Sequence, residues 1–315
     1  MSVLQALDIG LAFLVFSVAA WTVFAPGAFA ATVGYVVYGL LLSLVWIRLF
    51  AVDVALTEAA IGSGVTGVLF IGAAARLRGA GTNGAQETPT VLTRAFAACL
   101  CLLVAAALAG VVLLLPDQGP TLAPQAMERL PETGLGNPVT AVLIAYRSFD
   151  TMLEKVVLVL AVVGVWSLAA DRHWGGAPAE TRAKRPEPTL AFFAQMLAPI
   201  GILVGVHVFW VGADEPGGAF QGGAILAAMW MIVMMARLNE APQTSSSWLR
   251  LALIGGSAVF LTAGVAGAAV AGAFFAYPPG LAKPLILFIE TFMTFTIAVT
   301  LPMLAAGPPR REPRR

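Results

Sequence analysis

Charge is scarce in this chain. Only 11% of its 315 residues are Asp, Glu, Lys or Arg, where a soluble domain carries roughly 25%. That shortfall argues against a water-soluble domain and makes a bilayer the expected solvent. The net charge is +1, and no basic stripe is interleaved with aromatics, so nucleic acid is not expected as a partner. Cysteine and histidine are rarer still, with two of each. Cys99 and Cys101 lie two apart in an apolar run. On a helix they point to different sides and read as small apolar fillers. No Cys or His cluster has metal-ligand spacing, no phosphate loop is present, and no Ser/His/Asp set lies outside the apolar runs. Covalent chemistry on a substrate is not expected, nor is an organic cofactor. The N-terminus lacks the basic start and cleavage site of a signal peptide, and Asp8 precedes a run long enough to span.

Apolar residues make up 59% of the chain, and they come in long runs. A membrane helix needs ~20 of them. Nine spans are expected, at roughly 5–24, 29–50, 54–75, 94–115, 149–170, 190–212, 218–237, 248–273 and 284–306. The fold class is therefore an all-α, polytopic transmembrane protein. Polar, proline- and glycine-rich joints separate the spans, the longest at 116–138 and the most linker-like at 171–188. Positive charge orients the chain. If 76–94 is cytoplasmic, alternation puts 171–188, 237–250 and the C-terminus on the same side. Those regions hold thirteen of the eighteen Lys and Arg, which predicts the N-terminus outside and the C-terminus cytoplasmic. The linker at 171–188 divides five spans from four, and no internal repeat relates the two groups.

A charge at the bilayer centre costs about 2.5–3.5 kcal/mol on insertion scales, so each one inside a span is a candidate site residue. Asp150 and Glu154 are i,i+4 and share a helix face. They read as a proton relay, or as acids neutralised by Arg147 and Lys155 at the membrane edge. Asp53 and Glu58 diverge by roughly 140°. Asp53 reads as an N-cap or a partner of Arg48. Glu58 lies deeper and is followed by the small-residue surface AAIGSG. Lys283 and Glu290 are two turns apart on one face. Lys283 reads as interfacial and snorkelling, and Glu290 has no basic neighbour within a turn. His207 is the one histidine in a span and changes charge near neutral pH. For Glu58, Glu290 and His207 the competing reading is a static hydrogen bond to another helix.

In the stretch GADEPGGAFQGGAIL (Gly212 to Leu226) two acids and a proline lead into four glycines at the start of an apolar run. It reads as a tight hairpin between two spans. Asp214 and Glu215 are expected at the outer edge, with Pro216 able to begin the next helix. Gly218 and Gly222 form a small-xxx-small face for close packing, beside Gly217 and Gly223. Gln221 is available to a partner.

Several of these stretches resemble a known group. GADEPGGAFQGGAILAA is similar to the signature of the B subunit of Mrp-type multisubunit cation/proton antiporters, with Ala219 in place of a third glycine and His207 earlier than the usual Gly-His. KPLILFIETFMTFTIAVT resembles the last span of that subunit. VDVALTEAAIGSGVTGVLF resembles the D-type segment of membrane-bound hydrogenases and the C-terminal part of the Mrp A subunit. GNPVTAVLIAYRSFDTMLEKVVLVLAVVGVW resembles the E-type segment that follows it. The resemblance implies a D-like segment at 1–93, an E-like segment at 94–170, a cytoplasmic linker at 171–188, a B-like domain at 189–306 and a basic tail at 307–315. It implies a multi-pass subunit of the cell inner membrane that contributes carboxylates to an ion path. Asp53 and Glu58 come from the D-type motif, Asp150 and Glu154 from the E-type, and Glu290 from the B-type, with His207 beside them. The implied partners are other membrane subunits, including large antiporter-like ones, together with protons and a transient Na+. The alternatives are the equivalent subunit of a redox-driven or other energy-coupled complex, such as a hydrogenase or one for inorganic carbon uptake, and a purely structural scaffold.

Overall fold

A computed structural model of the chain describes residues 2–79, 90–115, 121–178 and 188–310. Among these residues there is no strand, only an isolated bridge between Pro178 and Pro309. A helix stands at each of the nine expected spans. They begin with α1 (Val3–Phe24) and α2 (Ala28–Arg48). The third span runs as α3 (Val52–Thr57), a π-helical stretch (Glu58–Val65) and α4 (Thr66–Gly79). Next come α5 (Val91–Leu114) and three short helices, α6 (Ala123–Glu128), α7 (Leu130–Thr133) and α8 (Pro138–Thr140). A second π-helical stretch (Ala141–Tyr146) leads into α9 (Ser148–Trp166), followed by α10 (Pro188–Val211), α11 (Ala219–Met235), α12 (Ser247–Val270) and α13 (Ala282–Ala306).

Seven of the nine are long and apolar enough to cross a membrane. The other two are α9, which carries Asp150, Glu154 and Lys155, and the 17-residue α11. At 1.5 Å per residue α11 is ~26 Å long, short of the ~30 Å hydrocarbon thickness. Its N-terminal residues are buried, with Gly217, Gly218 and Ala219 covered by the protein.

α13 is the hub of the bundle. It packs against α9, α10, α11 and α12, and Ile286, Ile289, Met293 and Ile297 line its fully buried side. Close approach comes from small residues. A Cβ on Gly222 would lie 2.6 Å from the Gly205 carbonyl of α10, and one on Gly223 would lie 2.8 Å from Ile297 of α13. Thr296 of α13 joins α12 through its hydroxyl, donating to the Ala252 carbonyl at 2.7 Å and accepting from the Gly256 N–H at 2.8 Å. With no difference in polarity between side chains and lipid tails, such packing and hydrogen bonds hold a membrane bundle together. At the other end of the chain α1 packs on α2. Arg48 forks onto Asp8 at 2.7 and 3.1 Å, so Arg48 pairs with Asp8 and leaves Asp53 to other partners. No residue of α1 or α5 is buried.

The polar joints are partly built into the fold. The start of the linker is pinned, because Gly175 and Gly176 accept from the N–H groups of Ser245 and Thr244, and Ala177 accepts from Arg310. Residues 171–178, 244–246 and 307–310 thus meet on one side of the bundle. Arg182, Lys184, Arg185, Arg311, Arg314 and Arg315, and the side chains of Arg76 and Arg78, lie outside the described residues. The proline- and glycine-rich joint at 116–138 carries α6 and α7 and leads directly into α8.

Gly223→Leu is expected to displace α11 from α13. Overpacking of this kind costs about 1–3 kcal/mol. The measurable result is a lower melting temperature, or loss of recovered subunit, after detergent extraction.

Candidate functional site

The glycine-rich hairpin joins α10 to α11 without a regular turn. Gly218 N–H reaches back to the Val208 carbonyl at 3.0 Å. A Cβ on Gly212 would collide with the Gly218 nitrogen. Gly217 and Gly218 adopt φ +155° and +126°, a region that favours glycine. α11 begins at Ala219 with Gly218 as its N-cap. Pro216 lies three residues earlier and belongs to the turn, so it does not begin the helix as the sequence suggested.

Three segments distant in sequence close around this hairpin. From the Asn-Pro-Val-Thr loop, the N–H groups of Gly136 and Asn137 donate to the Ala213 carbonyl at 3.0 and 3.1 Å. Thr140 Oγ1 donates to the Gly212 carbonyl at 2.6 Å and Asn137 Nδ2 to the Glu215 carbonyl at 2.9 Å. From the third span, Asp53 Oδ1 accepts the Gly217 N–H at 2.9 Å and Asn137 Nδ2 at 3.4 Å. Gln221 Nε2 donates to the Asp53 carbonyl at 3.3 Å and to Thr57 Oγ1 at 3.1 Å. From α13, Glu290 Oε1 comes within 3.5 Å of where a Cβ on Gly218 would stand. Two carboxylates thus lie at the start of α11, where the helix dipole favours negative charge. On an exposed edge Lys283 Nζ donates to both oxygens of Asp214 at 2.6 and 2.7 Å, which directs Lys283 away from Glu290.

The fifth span is a broken helix. Its break lies at Arg147, with φ −127° and ψ 36°. The freed carbonyls find side-chain donors: Thr151 Oγ1 donates to Leu143 at 2.6 Å, Tyr277 OH to Ile144 at 2.9 Å, and Ser148 Oγ also to Ile144. Burial pushes the Tyr277 phenol up to about 12, against the opposing effect of the Ser148 hydroxyl beside it. Tyr277 therefore remains a donor at neutral pH. Asp150 pairs with Arg147 three residues before it on an exposed surface.

Between the broken helix, the hairpin and α13 lies a cavity of about 380 Å³. Glu154, Glu290, Phe220, Gln221, Thr57 and Thr151 are among the residues lining it. Glu290 is 3% exposed, and its Oε2 has no hydrogen-bond partner. Glu58 is not on this cavity. Its carboxylate lies toward α2, with Oε1 3.0 Å from where a Cβ on Gly39 would stand, beside the buried Ser63. Asp53 is engaged in the junction, Asp150 in its surface pair. His207 is exposed on the outer side of α10. The cavity therefore brings Glu154 and Glu290 together and leaves Glu58, Asp150 and His207 elsewhere.

Lys155 is the residue that the sequence reading undervalued. It is fully buried, with Nζ 3.0 Å above the Phe220 ring. The signal was its adjacency to Glu154: neighbours on a helix point ~100° apart, so an acid facing the cavity mouth sends its neighbour to another face. Gln221, Asn137 and Thr140 acquire their roles only through long-range contacts.

Fold and site together define a multi-pass membrane protein with a buried carboxylate, Glu290, on a cavity that Glu154 also lines. Residues 12–79 match the MbhD family model, which describes the D component of MBH. Residues 189–306 match the model described as a domain related to the MnhB subunit of Na+/H+ antiporter. Among solved structures, the chain is similar to part of the Mrp complex from Dietzia sp. DQ12-45-1b, with TM-score 0.75, 21% identity, and coverage of 97% of this chain and 35% of that one. It is also similar to a chain of the membrane-bound sulfane sulfur reductase, an archaeal respiratory membrane complex, with TM-score 0.56, 23% identity, and coverage of 68% and 97%. At those identities the likeness is one of fold. An uncharacterized protein of Methanocaldococcus jannaschii is 28% identical over 120 residues, which is 34% of this chain and 46% of that protein. The chain thus spans less than half the length of the curated relative it matches. Residues 12–79 are thus similar to an MBH D-type segment and residues 189–306 to an MnhB-related domain.

Asp53→Ala is expected to strip acceptors from Gly217 N–H and Asn137 Nδ2. Each buried donor left unsatisfied costs about 1–3 kcal/mol. Asp53→Asn keeps an acceptor oxygen and is expected to fall between Ala and wild type. Thermal melts of the detergent-solubilised protein check the order. Tyr277→Phe is expected to lower stability by about 1 kcal/mol, through loss of the donor to the Ile144 carbonyl at the helix break.

Proposed function

We propose that this chain is an integral subunit of an Mrp-type cation/proton antiporter complex and contributes carboxylates to its ion path. The observation that carries the reading is Glu290, a buried carboxylate with one oxygen free, facing a cavity at the interior end of α11. An intramembrane acid without a static partner is the expected mark of an ion path. An interrupted helix and a helix N-terminus meeting inside the bundle are the usual architecture around one. Glu154 lies on the same cavity and is the second member of the path. Protonation and a cation compete for the same carboxylate oxygens, which gives exchange its simplest physical basis. Glu58, packed toward α2, belongs to a separate branch on the other side of the third span. Asp53 holds the junction, and Asp150 is held by Arg147. The D-like segment covers 1–93, the E-like segment 94–170 and the B-like domain 189–306. The remaining subunits of the complex are the partners, and the basic side of the chain faces the cytoplasm.

A second reading has one specific support, the match that covers 97% of a chain in a respiratory membrane complex. In it the same translocation unit is driven by a redox reaction on another subunit. Subunits that co-purify separate the two readings: antiporter-type chains alone favour the first, and iron–sulfur chains favour the second.

Glu290→Gln is expected to lower cation/proton exchange in vesicles by about tenfold or more, with the complex still assembled on a sizing column. Glu58→Gln is expected to give a smaller loss. Wild-type exchange in both assembled variants would sink the path.

A further inference from the structure

Lys155 has no exposed surface, and its Nζ makes no hydrogen bond. Among the described residues it forms no ion pair. An ammonium in that position is stable only if something polar reaches it, and a neutral amine only if its proton has somewhere to go. One face of Phe220 holds the Nζ at 3.0 Å from the ring centroid, a cation–π seat. The same Phe220 lines the cavity, as does Glu290. Glu290 Oε2 is likewise buried and without a partner. Two unsatisfied groups of opposite charge preference thus lie near one another, Lys155 against the Phe220 ring and Glu290 on the cavity that the same residue lines. The cavity beside them, at about 380 Å³, has room for several waters at ~30 Å³ each. Unsatisfied buried polar groups in a native fold call for an explanation, and here a single one covers both. The other titratable groups nearby are Glu154, which opens onto the cavity from the next position of α9, and Tyr277, which donates to the Ile144 carbonyl.

We propose that Lys155 is the proton-exchanging partner of Glu290, reaching it through the cavity that Phe220 and Glu290 line. An N–H bond of the Lys155 ammonium breaks. The proton crosses cavity water, and an O–H bond forms on Glu290 Oε2. An ammonium and a carboxylate become an amine and a carboxylic acid, net charge is unchanged, and the reverse transfer resets the pair. The proposal rests on the subunit reading above and adds a residue on the E-like segment to a path otherwise made of acids.

Exchange is measured in vesicles for the wild-type complex, a complex lacking this chain, Lys155→Met and Lys155→Arg. Methionine fills the space without a charge, and arginine keeps the charge but does not release its proton. Both variants are expected to lose exchange by about tenfold or more, and Lys155→Met combined with Glu290→Gln to lose no more than Glu290→Gln alone. Wild-type exchange in Lys155→Met makes Lys155 a packing residue and overturns the proposal. Restoration by arginine makes it a fixed charge, with the same consequence. If the complex without this chain exchanges normally, it is the subunit reading that fails. Infrared spectra of the unmodified complex supply a readout that does not depend on a Lys155 variant assembling. A protonated-carboxyl band, assigned by its loss in Glu290→Gln, is expected near neutral pH, and its absence overturns the transfer.

Discussion

A helix that starts inside a membrane protein needs acceptors for its first N–H groups, because the hydrocarbon supplies none. Here the N-terminus of α11 depends on that requirement being met by side chains from elsewhere. Asp53 takes the Gly217 N–H, and Glu290 Oε1 lies beside Gly218, the N-cap of α11. The rest of the centre follows from this seating. Asn137 must reach both Asp53 and the Glu215 carbonyl, which draws in the loop before the broken helix. Gln221 must turn toward the third span. The cavity is what remains between these fixed parts.

Small residues make the seating geometrically possible. Gly212 and Gly218 nearly touch, and Gly222 and Gly223 let α11 lie against α10 on one side and α13 on the other. The face expected to pair Gly218 with Gly222 is therefore divided. Gly218 turns toward Glu290 and Gly222 toward Gly205. Close packing and buried charge are coupled here, since the approach that glycine permits brings a backbone N–H within reach of an intramembrane carboxylate.

The acids of the spans separate by environment. Asp53 is engaged by two donors, Asp150 by an adjacent arginine, and Asp214 by Lys283 on an exposed edge. Glu290 keeps a free oxygen on the cavity, and Glu154 opens onto the same space. That contrast between satisfied and unsatisfied groups is what sorts structural acids from the candidates for transport. It gives the broken helix a purpose as well: the carbonyls released at Arg147 are taken up by Thr151, Ser148 and Tyr277, so the interruption persists beside the cavity.

The sequence by itself determined the solvent, the helical class, the positions of the nine helical stretches and the short list of charges that needed explanation. These follow from composition and run length, which are local properties. It also marked the hairpin as a place of close approach, since four glycines beside a proline have few other uses. Tertiary structure alone decided the partners. Arg48 pairs with Asp8, forty residues away in sequence, and not with the nearby Asp53. His207 faces outward although it stands near the signature hairpin. Lys155 and Glu154 are adjacent in the chain, yet one is sealed against Phe220 and the other opens onto the cavity. A helix turns ~100° per residue, and which of its faces is interior is set by helices far away in the chain. Period and spacing therefore place a charge within a span, but only the assembled bundle says what that charge meets.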